Sequence, residues 1–305
     1  MVGRFHLLAA ILAIAASLAT TEAVAGKKDL TSILQKTAIE RGLSHSKRYG
    51  FQMVTGFARR GNKAQRFEIR HGDCGRSGGW NDCDTDRARV ERKEAPKNAF
   101  SLSGKGVWYG LSVFIPADFV SLGKANTSLI QAKVEGDSMP IWQVVLNDRP
   151  YVVFSDSQNC SAGTLGSWRG QWNDLSIYVH YGTSGQKTYF QLFKNGRMVC
   201  ERRNPVMNRS MWGKRQKIGL KYGIYNSFVS RYLAAKATKQ VNLQAYSQNQ
   251  SSGTTSRSPA QSPFKIDWGV KLPTHVIFFD EMLAGPQREQ VDVRLRESAG
   301  LPPVD

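Results

Sequence analysis

Lys217-Ile218-Gly219-Leu220-Lys221-Tyr222-Gly223-Ile224-Tyr225-Asn226 alternates large apolar side chains with cations and glycines. In a β-strand successive side chains point to opposite faces. Ile218, Leu220, Tyr222 and Ile224 then go one way, and Lys217, Gly219, Lys221, Gly223 and Tyr225 the other. The first face is core. The second alternates cations with glycines and ends in a phenol, a shallow positive strip on which a flat anionic ligand can lie. For such a pattern a solvated lysine face on a sheet is the ordinary alternative.

The same division of faces recurs outward from this strand. Arg66-Phe67-Glu68-Ile69-Arg70 turns Phe67 and Ile69 inward; Arg87, Arg89, Glu91 and Lys93 share a face; Gln131, Lys133 and Glu135 lie opposite Ile130, Ala132 and Val134. An apolar strand runs from Val107 to Ile115, ended by Pro116, and further strands fall at 141–146, 151–154, 175–181, 187–194, 197–201 and 275–280. Asn195-Gly196 is a tight-hairpin signal. Many short strands with few helices predict an all-β, antiparallel two-sheet jelly roll with short peripheral helices, one sheet carrying a cationic groove on its outer face.

The segment before Phe51 has the helical spacing Leu30, Ile33, Leu34, Ala38 and Ile39 behind a cap at Asp29, and the tail from Pro286 has a short charged helical pattern. Residues 233–263 lose periodicity and fill with Gln, Ser, Asn and Thr, the composition of a flexible insertion. Residues 1–25 read as a signal peptide: Arg4, the apolar run Leu7 to Leu18, and Ala23-Val24-Ala25 as the cleavage site. The organisation expected is therefore a signal peptide at 1–25, an arm or helix at 26–48 and a single domain at 49–305. The location expected is secreted or periplasmic, with no membrane segment and a monomeric state.

A formal net charge of +18 points to a polyanionic partner. For an exported chain that partner is an acidic polysaccharide; export and the lack of a recognition module argue against nucleic acid. Four cysteines in an exported chain suggest two disulfides with three possible pairings. Cys74 with Cys83, closing a Gly/Asp-rich loop, and Cys160 with Cys200 is the favoured set. A zinc site is the weaker alternative, since no histidine stands at ligand spacing from these cysteines. No metal and no cofactor are expected.

The order of an arginine/glutamate strand, a glutamine strand and Leu220-Lys221-Tyr222-Gly223-Ile224-Tyr225-Asn226 resembles the jelly-roll polysaccharide lyases, such as alginate lyases, glucuronan lyases and heparin lyase I. Those enzymes carry an R-x-E-x-R strand, a Q-x-H strand and a strand of the form F-K-x-G-x-Y-x-Q. The likeness extends over roughly residues 60 to 285. Arg66 to Arg70 is the better literal match to the first motif, and Arg89-Val90-Glu91-Arg92-Lys93 stands where the family's order expects it; Arg89 is preferred. In the second motif Gln131 fits, and Lys133 stands in place of the histidine.

The resemblance implies β-elimination on a polyuronate of the alginate, glucuronan or heparin/heparan sulfate type. The C5 proton of a uronate is weakly acidic, so its carboxylate must be neutralised, here by Arg89 and Gln131, before a base can remove that proton and an acid protonate the leaving oxygen. Tyr225 is the expected acid, with Lys221 placed to lower its pKa; a separate base would be Lys133, His180 or His71. The catalytic set is thus Tyr225, Gln131, Arg89, Lys221 and His180. The substrate-binding set is Arg66, Arg70, Glu91, Lys133, Lys217, Tyr222 and Trp172, with Trp168 and Trp212 as further stacking candidates. A non-catalytic polysaccharide-binding protein on the same fold is the alternative. A glycoside hydrolase is weaker, because no paired carboxylates cluster on one strand.

Overall fold

The computed structural model describes residues 30–95, 100–101, 106–136, 139–182, 187–203, 206–207, 211, 217–241 and 262–304. Two antiparallel sheets face each other. Sheet I runs β16 (Arg197–Arg203), β15 (Tyr189–Lys194), β14 (Gln171–His180), β9 (Gly106–Ile115), β18 (His275–Gly285), β4 (Lys63–Ile69), β3 (Phe51–Thr55), with β1 (Thr31–Ser32) also on β18. Sheet II runs β13 (Asn159–Ser161), β12 (Tyr151–Phe154), β11 (Pro140–Leu146), β10 (Asn126–Val134), β17 (Lys217–Ser227), β7 (Arg87–Glu94), β2 (Thr37–Ile39), with β8 (Phe100–Ser101) also on β17. A small hairpin pairs β5 (Arg76–Ser77) with β6 (Trp80–Asn81). Among the described residues the α-helices are α1 (Ile33–Lys36), α2 (Val229–Lys236), α3 (Arg288–Val291) and α4 (Val293–Ser298). The jelly-roll sandwich expected from the strand pattern is present.

The alternation read from the sequence sets the core. Phe67, Ile130, Trp142, Ile177, Ile218, Leu220, Tyr222, Ile224 and Phe279 all point between the sheets and are buried. Each large apolar side chain removed from water there contributes about 1.5–3 kcal/mol. The decisive strand, β17, lies in the middle of sheet II, where β10 and β7 hold both its edges. Its register against β10 slips between Ile130↔Tyr222 and Ser128↔Tyr225, a β-bulge. At the bulge Gly223 has φ +139°, and a Cβ there would lie 2.3 Å from the Val90 carbonyl oxygen. This glycine exists for the close approach of β17 to β7 and not to leave room for a sugar.

The N-terminal arm differs from the helix its spacing predicts. Only Ile33–Lys36 makes a helical turn, capped by Ser32, while Thr31–Ser32 pairs with β18 and Thr37–Ile39 with β7. The arm thus ties one sheet to the other, and Glu40 follows directly. Asn195 and Gly196, both at positive φ (50° and 81°), form the predicted hairpin turn. Both favoured disulfides are present: Cys74–Cys83 closes the loop containing β5 and β6, and Cys160–Cys200 joins the edge strands β13 and β16 of the two sheets. Of the insertion expected at 233–263, residues 233–236 belong to α2, whose Leu233 packs with Trp268, and residues 242–261 lie outside the described residues, as does the signal peptide.

Gly223→Ala should lower the unfolding free energy by about 2–3 kcal/mol, because the new methyl meets backbone and the backbone angle is unfavourable for any other residue. A urea midpoint unchanged from the parent protein would show that the bulge relaxes freely and that the glycine is not required.

Candidate active site

The outer face of sheet II carries a groove of about 870 Å³, walled by β7, β17 and β10 on one side and by β11 and β12 on the other. Strand alternation delivers Arg87, Arg89 and Lys93 from β7, Gly219, Lys221, Tyr225 and Ser227 from β17, Gln131 and Lys133 from β10, and Gln143 from β11. The arm adds Glu40 and the disulfide loop adds Trp80.

Buried charges are stable only when paired, and these are. Arg89 donates from Nε and Nη2 to the two oxygens of Asp82 (2.5 and 2.9 Å), while its Nη1 stands 3.6 Å from Glu91 and 3.8 Å from Glu40 without a hydrogen bond. Trp80 Nε1 donates to the same Asp82 at 2.8 Å. Lys221 donates to both oxygens of Glu40, at 2.6 and 2.8 Å. Gln131 Nε2 donates to Glu91 Oε1 at 2.6 Å, and Gln143 Nε2 to Gln131 Oε1 at 3.3 Å. Glu91 Oε2 is buried and has no hydrogen-bond partner. Burial pushes the Glu91 carboxyl above its usual range, against the opposing pull of Lys221 and Arg89. For Glu40 burial also works upward, but Lys221, Arg89 and Lys93 outweigh it and hold that carboxylate below its usual range.

Tyr225 accepts a hydrogen bond from Arg87 Nε at 2.8 Å, and the Arg89 guanidinium lies 4.2 Å from the centre of its ring. Since the phenolic oxygen is the acceptor from Arg87, its proton is free to be donated elsewhere. Burial raises the Tyr225 pKa; the two arginines oppose this without reversing it, and Asp82 and Glu91 add to it. The cation expected at Tyr225, Lys221, belongs instead to Glu40.

Lys133 is half-buried on the groove wall and forms no ion pair with a carboxylate among the described residues. Its pKa is pushed down to about 8, by burial first and then by the nearby charges of Lys221 and Arg89. In the β10–β17 register Lys133 faces Gly219, Gln131 faces Lys221 and Ser128 faces Tyr225. Lys133 and Tyr225 therefore stand on either side of the Gln131–Glu91–Arg89 cluster.

Several side chains expected at this site are elsewhere. Arg66 and Arg70 sit on β4 in sheet I, both bonded to Glu68. The R-x-E-x-R spacing is there the mark of a structural charge cluster. His180 ends β14, also in sheet I, with Nδ1 3.1 Å from the Lys187 carbonyl oxygen. Trp172 lies on the outer face of sheet I against Phe57 and Phe114. Tyr222 points into the core, its hydroxyl donating to Gln65 at 2.6 Å. Lys217 is exposed at the start of β17, outside the groove lining. His71 accepts from the Leu272 amide, and Trp168 is fully buried. Trp212 lies outside the described residues. Conversely, Glu40, Trp80, Asp82, Arg87 and Gln143 belong to the site and carry no motif of their own; only the shared face of Arg87 with Arg89 signals one of them.

The model of a family described as polysaccharide lyase matches residues 31–254. The chain belongs to this polysaccharide lyase family. No curated protein matches it. Similar solved structures include an alginate lyase of polysaccharide lyase family 7 (12% identity, 79% of this chain and 83% of that chain, TM-score 0.44). Others are the alginate lyase from Klebsiella pneumoniae (13%, 74% and 82%, 0.42) and a cellulose-induced protein (11%, 83% and 93%, 0.47).

Asp82→Ala should cost about 3–5 kcal/mol, since it leaves the Arg89 guanidinium buried without its two-point partner. Urea unfolding measures this; a loss below 1 kcal/mol would mean that Glu91 and Glu40 hold Arg89 equally well.

Proposed function

We propose that this polysaccharide lyase is exported and cleaves an acidic, uronate-containing polymer by β-elimination. In this reading Lys133 is the base and Tyr225 the acid. The observation that carries it is a lysine with no carboxylate ion pair among the described residues and a pKa of about 8, sharing one groove with a tyrosine that stays protonated and whose phenol oxygen already accepts from Arg87.

The roles follow from the chemistry. The uronate carboxylate sits against Arg89 Nη1 and the Gln131 amide, which neutralise it and make the C5 proton removable. The neutral Lys133 amine takes that proton. As the C4–O4 bond breaks and the C4–C5 double bond forms, Tyr225 gives its proton to the departing O4. Arg87, already bonded to the phenol oxygen, then stabilises the phenolate. Two different groups serve as base and acid, because a tyrosine with a raised pKa is a poor base at neutral pH. His180, Arg66, Arg70, Trp172 and Tyr222 have no part in this scheme. Export is supported by the two disulfides, which persist in oxidising compartments.

Alginate, glucuronan, heparin and heparan sulfate, each incubated with the protein, test the activity through the ultraviolet absorbance of the unsaturated uronate. Growth of absorbance with at least one polymer is expected. Retention on a polymer without product would make this a binding protein, and new reducing ends without absorbance would make it a hydrolase.

The mechanism predicts the pH profile. Lys133 must be neutral, so kcat/KM rises with pH up to about 8; Tyr225 must be protonated, so it falls again only above the ordinary tyrosine range. Lys133→Arg and Tyr225→Phe should each lower kcat by about 10²–10⁴ with the fold intact. An acidic limb unmoved in Lys133→Arg, with turnover retained, would remove Lys133 from the role of base.

A further inference from the structure

Among the described residues five cations line the groove: Arg87, Arg89, Lys93, Lys133 and Lys221. Three of them are already matched within the protein: Arg89 by Asp82, Lys221 by Glu40, and Lys93 by Glu135 at 3.3 Å. The first two pairs are buried, with side-chain exposures of 8% for Arg89, 0% for Asp82 and 5% for Lys221, so a ligand cannot open them cheaply. Glu91 adds a fourth carboxyl beneath Gln131. Four fixed cations thus stand against four acidic groups, and the fifth, Lys133, must be neutral to act as a base.

The opposite wall continues this economy of charge. Met139, Pro140, Val153 and Phe154 supply apolar surface there, and Gln143, Ser155 and Ser157 supply polar groups without charge. The cation nearest Phe154, Arg202, is held by Asp156 and lies over the Phe154 ring (4.6 Å). Sulfated sugars bring more than one anion each, and their binding sites need unpaired arginines and lysines at several points. Among the described residues this groove offers one free hydrogen-bonding edge of Arg89 and the Arg87 guanidinium beside Tyr225.

We infer that the groove is built for an unsulfated polyuronate, with one carboxylate on the reacting sugar, and discriminates against sulfated chains. This rests on the lyase reading of the groove. The large positive net charge of the protein is therefore not the determinant of specificity: it draws in any polyanion, and the groove then accepts those of low charge density.

The test compares heparin with chemically desulfated, N-acetylated heparin, which keeps the backbone and removes the sulfates, and with glucuronan. The expected result is a kcat/KM at least about tenfold higher on the two unsulfated polymers, with a dependence on salt of log–log slope about 1 in magnitude, not about 3 or more. Glu135→Gln, which releases Lys93 and touches no proposed catalytic group, should raise kcat/KM on heparin relative to glucuronan. Faster cleavage of heparin than of its desulfated form would overturn the inference while leaving the lyase reading intact. If neither these polymers nor alginate and heparan sulfate are cleaved, the lyase reading fails. Occupancy of the groove by short oligosaccharides is then read from Trp80 fluorescence, isolated by subtracting the Trp80→Phe protein. Quenching by the unsulfated oligosaccharide at about tenfold lower concentration is expected, and preferential quenching by the sulfated one overturns the inference.

Discussion

The pairing of Arg89 with Asp82 is the interaction on which the site depends. A guanidinium on an interior strand, covered to 8% exposure, must have a carboxylate in contact, and Glu91 of the same strand comes only to 3.6 Å, without a hydrogen bond. The loop closed by Cys74–Cys83 brings Asp82 over the strand, and Trp80 follows on the same loop, fixed by its own hydrogen bond to that carboxylate. The same requirement acts at Lys221, where the arm that crosses from sheet I to sheet II ends in Glu40. Two peripheral segments are thus held in place by the charges of the groove floor, and in return they hold those charges still.

That arrangement decides what is left for chemistry. With Arg89 and Lys221 anchored, their positive fields remain while their positions do not change. Both fields act on Lys133, which burial has already made easier to deprotonate. Tyr225 feels Arg87 and Arg89 together with Asp82 and Glu91, so burial prevails there and the phenol keeps its proton. In the proposed reaction the amine takes a proton and the phenol gives one, the separation of roles that β-elimination calls for.

Much of this was legible in the sequence because strand alternation is a local property. The face shared by Lys221 and Tyr225, the Gln131 and Lys133 pair, the Arg87 to Lys93 ladder and the Asn195-Gly196 turn all follow from spacing alone. Alternation gives the face of a strand but not its sheet. Arg66, Glu68 and Arg70 have the same local pattern as Arg89 and Glu91, yet β4 belongs to sheet I, and His180 and Trp172 went astray for the same reason. The partners of buried charges were illegible as well: Glu40 lies 181 residues from Lys221 in sequence, and nothing near either residue announces the other. The helical spacing of the arm was misleading because pairing with β18 and β7 outweighs a weak propensity over so few residues.

The proposed chemistry requires Lys133 to be an amine of lowered pKa in the free protein, and nuclear magnetic resonance tests this without any substrate. In protein carrying carbon-13 at the lysine Cε, the Lys133 signal, assigned by its loss in Lys133→Arg, is followed with pH. A midpoint at about 8 is predicted. A midpoint at about 10.4, the ordinary value for a solvated lysine, would leave the groove without its proposed base.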